Sequence, residues 1–224
     1  MNILLTNDDG YKAFGIKLLA KLLKEYGNVY IVAPKKVMSA KSVSIVLDRP
    51  IKVKKISKKV YSTDGTPADC VAFGLSSLGI KFDLVVSGIN HGHNISYDTM
   101  YSGTIGACLQ ALTYKIPAIA FSCEHNFELV EKYFHEVMSQ ILNLKMLSSE
   151  YLLNVNFPIG EVVEGILETH IYYRDRTTYY EKVGEDSYQA LRNLDDEACK
   201  DLESDVYAVN HGLISIGRLN KKLD

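Results

Sequence analysis

The sequence predicts an α/β fold: an open, mostly parallel, Rossmann-like sheet with helices on both faces, extended by a β-hairpin insertion and a C-terminal arm. Short apolar runs that end in turn signals alternate with segments of helical periodicity over most of the chain. Strand–helix–strand units of this kind build parallel sheets. The chain has 224 residues, 47% of them hydrophobic and 23% charged, which is ordinary for a globular protein with a sizeable core.

The first part of the chain alternates strands and helices. The apolar run at 2–6 predicts a buried strand that stops at a turn, and apolar residues spaced along one helix face follow from 16 to 23. Gly27 stands where the C-cap of that helix belongs, and residues 29–33 predict a second strand closed by Pro34. The later predicted elements are a helix at 69–78, a strand at 84–86, a helix at 104–114, a strand at 118–122, a helix face at 130–141 and a strand at 152–157.

Two segments interrupt this alternation. Residues 44–64 mix apolar residues with lysines, which predicts a β-hairpin or meander whose lysines form a solvated face; a patch that contacts a nucleic-acid phosphate backbone is the alternative. Residues 165–205 are rich in tyrosine and show no clean periodicity over their length, which predicts a protruding arm. The chain therefore divides into an α/β core at 1–164, the arm at 165–205 and a returning segment at 206–224, in which residues 206–216 predict a final strand.

The composition of the arm predicts its role. Tyrosine combines a large apolar ring with a polar tip, which suits interfaces. We therefore expect the arm to pack on a second subunit of a two-fold dimer, by exchange of the arm between subunits. A lid that folds back over the sheet of the same chain is the alternative.

Charge and cysteine usage exclude several classes of protein. The formal net charge is -2, whereas a nucleic-acid-binding protein needs a basic footprint. The N-terminus shows no secretory signal and no apolar run approaches the length of a membrane span, so neither secretion nor membrane insertion is expected. The four cysteines have no C-x-x-C spacing, which favours free thiols in a reducing compartment. We expect a cytoplasmic protein.

Polar residues follow the predicted strands, at the edge of the sheet where α/β proteins bind ligands. Asp8 and Asp9 come directly after the first strand, Ser39 follows the second, and Asn90 follows the third. Two adjacent carboxylates repel each other, and a bound cation removes that penalty. Carboxylate, hydroxyl and amide oxygens select a hard ion such as Mg²⁺ or Mn²⁺. An Asx-turn or a helix N-cap, which needs only one of the two carboxylates, is the alternative.

A second candidate site is the segment Tyr101-Ser102-Gly103-Thr104, which leads into a predicted helix. Ser or Thr at this position is an ordinary N-cap, but free amides and two hydroxyls at a helix N-terminus also form an anion site. A cation site and an anion site on one edge suggest phosphate chemistry. The pair His91 and His93 is weak evidence for zinc, because no further nitrogen or sulfur ligand stands nearby.

These residues carry a resemblance to the SurE family, the stationary-phase survival proteins, which are metal-dependent 5′/3′-nucleotidases. The matching segments occur in the family's order: residues 3–10 (ILLTNDDG), 32–34 (VAP) with Ser39, 65–71 (GTPADCV), 85–94 (VVSGINHGHN) and 101–104 (YSGT). The sequence departs from the family at Phe14, where relatives usually have Pro, and in the loop around Ser39, which is less typical.

The resemblance implies both a site and an assembly. It implies metal ligation by Asp8, Asp9, Ser39 and Asn90, and it places Asn94 and the Ser102-Gly103-Thr104 turn at the phosphate. Asp8, Asp9 and Asn94 are then the expected catalytic residues. Dimers or tetramers with an exchanged C-terminal arm are also implied.

Together with the residues at the sheet edge, the resemblance implies a hydrolase that converts a nucleoside monophosphate to nucleoside and phosphate with one divalent ion, Mg²⁺ or Mn²⁺. An unliganded oxygen of Asp8 or Asp9 is the candidate general base. A phosphoacceptor receiver module is the alternative, although Ser87-Gly88-Ile89-Asn90 lacks the aspartate that a receiver needs at the end of the third strand. A dinucleotide-binding oxidoreductase is a weaker one, because no G-x-G-x-x-G turn follows the first strand.

Overall fold

The computed structural model describes residues 1–173, 176–194 and 199–220. The strands are β1 (Asn2–Thr6), β2 (Asn28–Pro34), β3 (Val53–Ser57), β4 (Val60–Thr63), β5 (Leu84–His91), β6 (Ala118–Cys123), β7 (Tyr151–Asn156), β8 (Gly165–Thr169), β9 (Arg176–Lys182), β10 (Tyr188–Leu194) and β11 (Leu213–Asn220). The α-helices are α1 (Phe14–Leu22), α2 (Pro67–Ser77), α3 (Asp98–Tyr101), α4 (Gly103–Thr113), α5 (Phe127–Asn143) and α6 (Asp205–Asn210), and a short 3₁₀ turn (Leu23–Glu25) extends α1.

One large sheet contains nine of these strands, in the order β3-β4-β2-β1-β5-β6-β7-β11-β8. The strands from β4 to β7 run parallel to their neighbours, whereas β3 and β11 introduce antiparallel pairs. The order reverses at β1, which lies between β2 and β5. Such a reversal opens a crevice beyond the carboxyl ends of the strands, and ligands bind there in open α/β sheets.

The central strands are apolar on both faces because helices cover both. Ile3 and Leu5 of β1 pack into a cluster with α1 and α5, whereas Leu4 packs into the opposite cluster with α2 and α4. All three side chains are fully buried. Burying each such leucine or isoleucine contributes about 1.5–3 kcal/mol, so alanine at any of them would remove a large part of the stability of a domain.

Most predicted elements are confirmed within one to three residues. The third strand is longer than predicted, since β5 continues to His91 with an irregularity in its pairing between Ser87 and Asn90. Asn90 therefore belongs to the end of the strand rather than to the loop beyond it.

The β-hairpin predicted in 44–64 is confirmed: its strands are Val53–Ser57 and Val60–Thr63, and β4 pairs in parallel with β2, so the hairpin extends the main sheet. Two other predictions need correction. The arm does not begin at residue 165, because β8 pairs with β11 inside the main sheet. The predicted strand at 206–216 is wrong in its first half, where α6 occupies Asp205–Asn210 before β11 begins.

The described part of the arm is an antiparallel hairpin of β9 and β10, separate from the main sheet. Its rings at Tyr179, Tyr180 and Tyr188 are exposed. Arg192 connects the hairpin to α3 of the same chain, where its Nη1 donates to Asp98 Oδ1 at 3.1 Å. This contact is of the kind expected for the fold-back alternative, and exchange between subunits stays a prediction.

Two further expectations concern the thiols and the membrane. Cys70, Cys108, Cys123 and Cys199 are all free thiols, as their spacing predicted. No helix in the described ranges combines the length and the apolar character that crossing a bilayer requires.

Candidate metal and phosphate site

The turn after β1 is made by Asn7. Its Nδ2 donates to the Gly10 carbonyl at 3.2 Å, and its Oδ1 accepts from the Gly10 amide at 3.1 Å. These bonds between the Asn7 side chain and the Gly10 backbone close the turn, a task that the sequence left open as an alternative role for an aspartate. Because Asn7 forms the turn, neither Asp8 nor Asp9 is needed for it, and both carboxylates are free for other contacts.

Asp8 is a buried carboxylate, with 5% of its surface exposed. Its Oδ1 accepts a hydrogen bond from the Thr104 hydroxyl at 2.6 Å, and its backbone carbonyl accepts from the Met38 amide at 2.7 Å. Burial raises the pKa of Asp8 from 3.8 to about 6; the Thr104 hydrogen bond opposes this rise and the charge of Asp9 adds to it. The ionised form of this buried carboxyl is therefore unstable unless a positive charge lies nearby.

Asp9 lies beside it in a more open position. Its Oδ2 accepts from the backbone amide of His91 at 3.4 Å, which ties the end of β1 to the end of β5. Burial raises the pKa of Asp9 as well, against the effect of the His91 amide. Both carboxyls of the acidic pair thus have raised pKa values. A cation bound between them would lower these pKa values, because it stabilises the ionised form.

Asn90 and Ser39 reach the same edge from β5 and from the loop after β2. The Nδ2 of Asn90 donates to the Gly92 carbonyl at 2.7 Å, which leaves Oδ1 as its acceptor atom. Ser39 is exposed, and it follows Met38, whose amide is bonded to the Asp8 carbonyl. The donor set of two carboxylates, an amide oxygen and a hydroxyl fits a hard divalent ion such as Mg²⁺ or Mn²⁺.

The N-terminus of α4 adjoins Asp8. Ser102 is its N-cap and accepts a hydrogen bond from the Ile105 amide at 3.2 Å, so the capping role left open by the sequence is confirmed for Ser102. Thr104 is fully buried and directs its hydroxyl to Asp8. A Cβ atom on Gly103 would lie 3.0 Å from the Cβ of Asp8. Glycine at 103 is therefore what lets the helix approach the carboxylate this closely.

The two histidines of the His91-Gly92-His93 segment have different partners. Nε2 of His93 lies 2.6 Å from the Phe157 carbonyl, whereas Nε2 of His91 lies 2.7 Å from Nδ1 of His125. Within the described ranges, no group of three or more His, Cys, Asp or Glu side chains has an arrangement that could hold a metal. The candidate site differs from such a group because only two of its four side chains, Asp8 and Asp9, are acidic; the other two, Ser39 and Asn90, offer neutral oxygen atoms.

Asn94 is buried in a network of hydrogen bonds with strands on the far side of the site. Its amide donates to Asn156 Oδ1 at 2.8 Å, and its carbonyl accepts from Asn154 Nδ2 at 2.7 Å. Its own Nδ2 donates to Ser122 Oγ at 2.8 Å. These bonds give Asn94 a structural role in holding the loop after β5, and its predicted catalytic role stays a prediction.

Sequence reasoning missed the residues that support the site. Asn154 and Asn156 alternate with apolar residues inside β7, where buried amides indicate a polar partner, but nothing local identifies Asn94 as that partner. The capping box of α2 has a local signal, because Thr66 and Asp69 stand at the spacing of that motif. In the structure each of these side chains bonds the backbone amide of the other residue. The carboxylate of Asp69 also accepts from the Val46 amide at 3.2 Å, which fixes the loop that leads to the hairpin.

Comparison with known proteins gives consistent results. The family model described as "Survival protein SurE" matches residues 3–178. The chain is 37% identical to a protein named 5′-nucleotidase SurE from Clostridium botulinum (strain Langeland), over 100% of this chain and 94% of that protein. It is 39% identical to 5′-nucleotidase SurE from Thermoanaerobacter sp. (strain X514), over 96% of this chain and 90% of that protein. The crystal structure of the SurE protein from Aquifex aeolicus is similar with a TM-score of 0.86 at 33% identity, and the match covers 100% of this chain and 95% of that one.

Proposed function

The chain belongs to the SurE family, and from that premise we propose that it is a nucleotidase, which releases phosphate from nucleoside 5′-monophosphates. The relatives with that name are matched over nearly their whole length. The observation that carries the proposal is the pair Asp8 and Asp9 at the end of β1, which Asn7 frees from making the turn. None of these relatives supports the receiver-module alternative, and β5 ends in Asn90 and His91 rather than in an aspartate.

The proposal includes one divalent cation, Mg²⁺ or Mn²⁺, held by Asp8, Asp9, Ser39 and Asn90. The fit rests on the oxygen donor set and on the raised pKa values of the two carboxyls. When bound, such an ion polarises a phosphoryl oxygen and lowers the pKa of a bound water.

The N-terminus of α4 supplies the binding of the phosphate. The first amides of a helix lack partners within the helix, and here Ser102 satisfies the amide of Ile105. Within the described residues the amides of Gly103 and Thr104 have no such acceptor, and both residues adjoin Asp8, Thr104 through its hydroxyl and Gly103 through its close approach to the Asp8 side chain. Amides at a helix N-terminus stabilise the negative equatorial oxygens of a phosphoryl group as charge develops.

Thr104 and Asp9 have distinct roles in this scheme. The Thr104 hydroxyl occupies one oxygen of Asp8 and fixes the orientation of its carboxylate. Asp9 is the less buried of the two carboxylates, and its bond to the His91 amide is long. We therefore assign acceptance of the proton of the attacking water to a carboxylate oxygen of Asp9.

The proposal also covers assembly. The exposed rings of the β9–β10 hairpin, at Tyr179, Tyr180 and Tyr188, suit contact with a second copy of the chain. When two subunits exchange an element, each contact that the element makes within its own chain is made instead with the other subunit. The ion pair between Arg192 of the hairpin and Asp98 of α3 is a contact of this kind. We propose a two-fold dimer, alone or within a tetramer, that is held together by this hairpin.

The experiment is an assay of phosphate release from AMP and GMP in the presence of Mn²⁺ or Mg²⁺. Asp9→Asn should lower turnover by at least about a hundredfold, since the carboxylate contributes to the cation site. The matched control is Asp48→Asn, which changes an exposed aspartate outside the site and should leave turnover unchanged. Excess EDTA should abolish activity reversibly, and full activity in EDTA would contradict the proposal.

A further inference from the structure

Four ring side chains form a cluster at the carboxyl edge of the sheet, here called the aromatic rim: Phe14, His91, His125 and Phe127. The rings of Phe14 and Phe127 meet edge to face with centroids 5.1 Å apart. The ring of His91 lies 4.6 Å from that of His125 and is stacked with that of Phe127 at 6.3 Å. The four rings thus form one continuous surface.

The aromatic rim adjoins the proposed metal site through backbone contacts. A Cβ atom on Gly15 would lie 2.2 Å from the Ile89 carbonyl, so the start of α1 is in direct contact with β5 next to Asn90. This contact places Phe14, the first residue of α1, at the end of β5. The His91 amide in turn donates to Asp9 Oδ2.

Packing within the chain leaves most of the aromatic rim exposed to solvent. Phe14 is 64% exposed, and His91 and His125 are also exposed. Phe127 is half-buried and packs against the core cluster of α1 and α5. Single exposed apolar side chains are common, but a contiguous set beside a ligand site indicates a binding surface.

We propose that the aromatic rim is the nucleobase subsite of the enzyme, on which the base of the substrate stacks while its phosphate lies at the metal site. This inference rests on the proposed nucleotidase function. Flat aromatic and imidazole rings bind any base through its π-face, and a purine offers the larger face. Purine nucleotides therefore gain more from the rim than pyrimidine nucleotides, and a sugar phosphate without a base gains nothing.

A cavity on the β2 side of β1 is a poorer match for a base than the aromatic rim. Its lining includes four charged side chains: Lys35 after β2, Lys52 and Lys54 at the start of β3, and Asp64 after β4. Charged side chains favour an anion or a solvated surface over a flat, largely apolar ring. The choice between the two locations can be tested directly.

The test compares kcat/KM for AMP, CMP and ribose 5-phosphate in the wild type and in Phe14→Ala, His125→Ala and Phe14→Trp. In Phe14→Ala the ratio of kcat/KM for AMP to that for ribose 5-phosphate should fall about tenfold, mainly through KM, which corresponds to about 1.4 kcal/mol. His125→Ala should lower the same ratio, and Phe14→Trp should keep or raise it. The control is Tyr114→Ala, which removes an exposed ring at the far end of α4 and should leave the ratio unchanged.

The outcomes separate this inference from the proposed function. A wild type that releases phosphate from AMP, with the ratio unaltered in both Phe14→Ala and His125→Ala, would overturn the base subsite alone. An equal fall in Tyr114→Ala would overturn it as well. If the wild type released no phosphate from AMP or ribose 5-phosphate with any divalent ion, the proposed function would fail, and the base subsite with it. Circular dichroism of each variant verifies that the fold is retained.

Discussion

Replacing Asp8 by asparagine should abolish turnover and at the same time stabilise the metal-free protein at neutral pH. Burial raises the pKa of Asp8 from 3.8 to about 6, so the folded state holds the proton more tightly than the unfolded state. A difference of about 2 pH units at about 1.36 kcal/mol per unit corresponds to about 3 kcal/mol. That is the cost of keeping this carboxylate ionised without a cation.

The sign of the effect fixes its pH window. Because the folded pKa is the higher one, the stability contributed by the protonated carboxyl is fully present below 3.8 and is lost as the pH rises through about 6. Asparagine does not titrate, and its amide oxygen can still accept the hydrogen bond from Thr104. The variant should therefore match the wild type near pH 4 and exceed it in stability by about 2–3 kcal/mol near pH 8.

The assay is urea unfolding of both proteins in EDTA, near pH 4 and near pH 8. Added Mn²⁺ should restore stability to the wild type but not to Asp8→Asn, because ligand binding to the folded state stabilises it by mass action. Asp48→Asn serves as the matched control at an exposed position. The reasoning would be refuted by a variant no more stable than the wild type near pH 8, or by a difference that does not change with pH.

Three further predictions concern neighbouring features. Gly103→Ala places a Cβ 3.0 Å from that of Asp8 and should lower kcat/KM by about tenfold or more, whereas Gly165→Ala, whose Cβ meets its nearest side chain at 3.6 Å, should not. Ser102→Ala removes the N-cap of α4 and should lower the free energy of unfolding by about 1 kcal/mol in urea titrations, with Mn²⁺ affinity unchanged. Replacing residues 176–194 by a short Gly-Ser linker should give a folded monomer in sedimentation equilibrium; the native oligomer would show that the hairpin does not hold the subunits together.

The central strands and the polar edge could be predicted because their signals are local. The run Ile3-Leu4-Leu5 must be buried on both faces, and the carboxyl ends of neighbouring parallel strands necessarily meet. The bond between Thr104 and Asp8 could not be predicted, since 96 residues separate the partners and the hydroxyl had a plausible local use as a cap. Tertiary contact decided between two chemically reasonable roles.

The errors near the C-terminus have a similar origin. β8 is only five residues long, and it pairs with a strand that is far away in the sequence. Gly165 at the start of β8 lies opposite Leu213 at the start of β11. The apolar content of 206–216 suggested one strand, although Ser204 caps the start of α6 and Gly212, with a φ of +75°, follows the C-cap residue His211. These are start and stop signals of a helix, and they outweigh the apolar run.

The bonds around the loop after β5 also constrain when the site can form during synthesis. The backbone of Asn94 is held by Asn154 and Asn156, and the Ser96 amide donates to Asp205, which lies 109 residues later in the chain. At about 5–20 residues per second, Asp205 is synthesised about 5–20 s after Ser96. The bond between Asp8 and Thr104 can therefore form earlier in synthesis, whereas the loop after β5 gains all of its contacts only after Asp205 has been made. Phosphate release by ribosome-bound chains should accordingly appear late in translation.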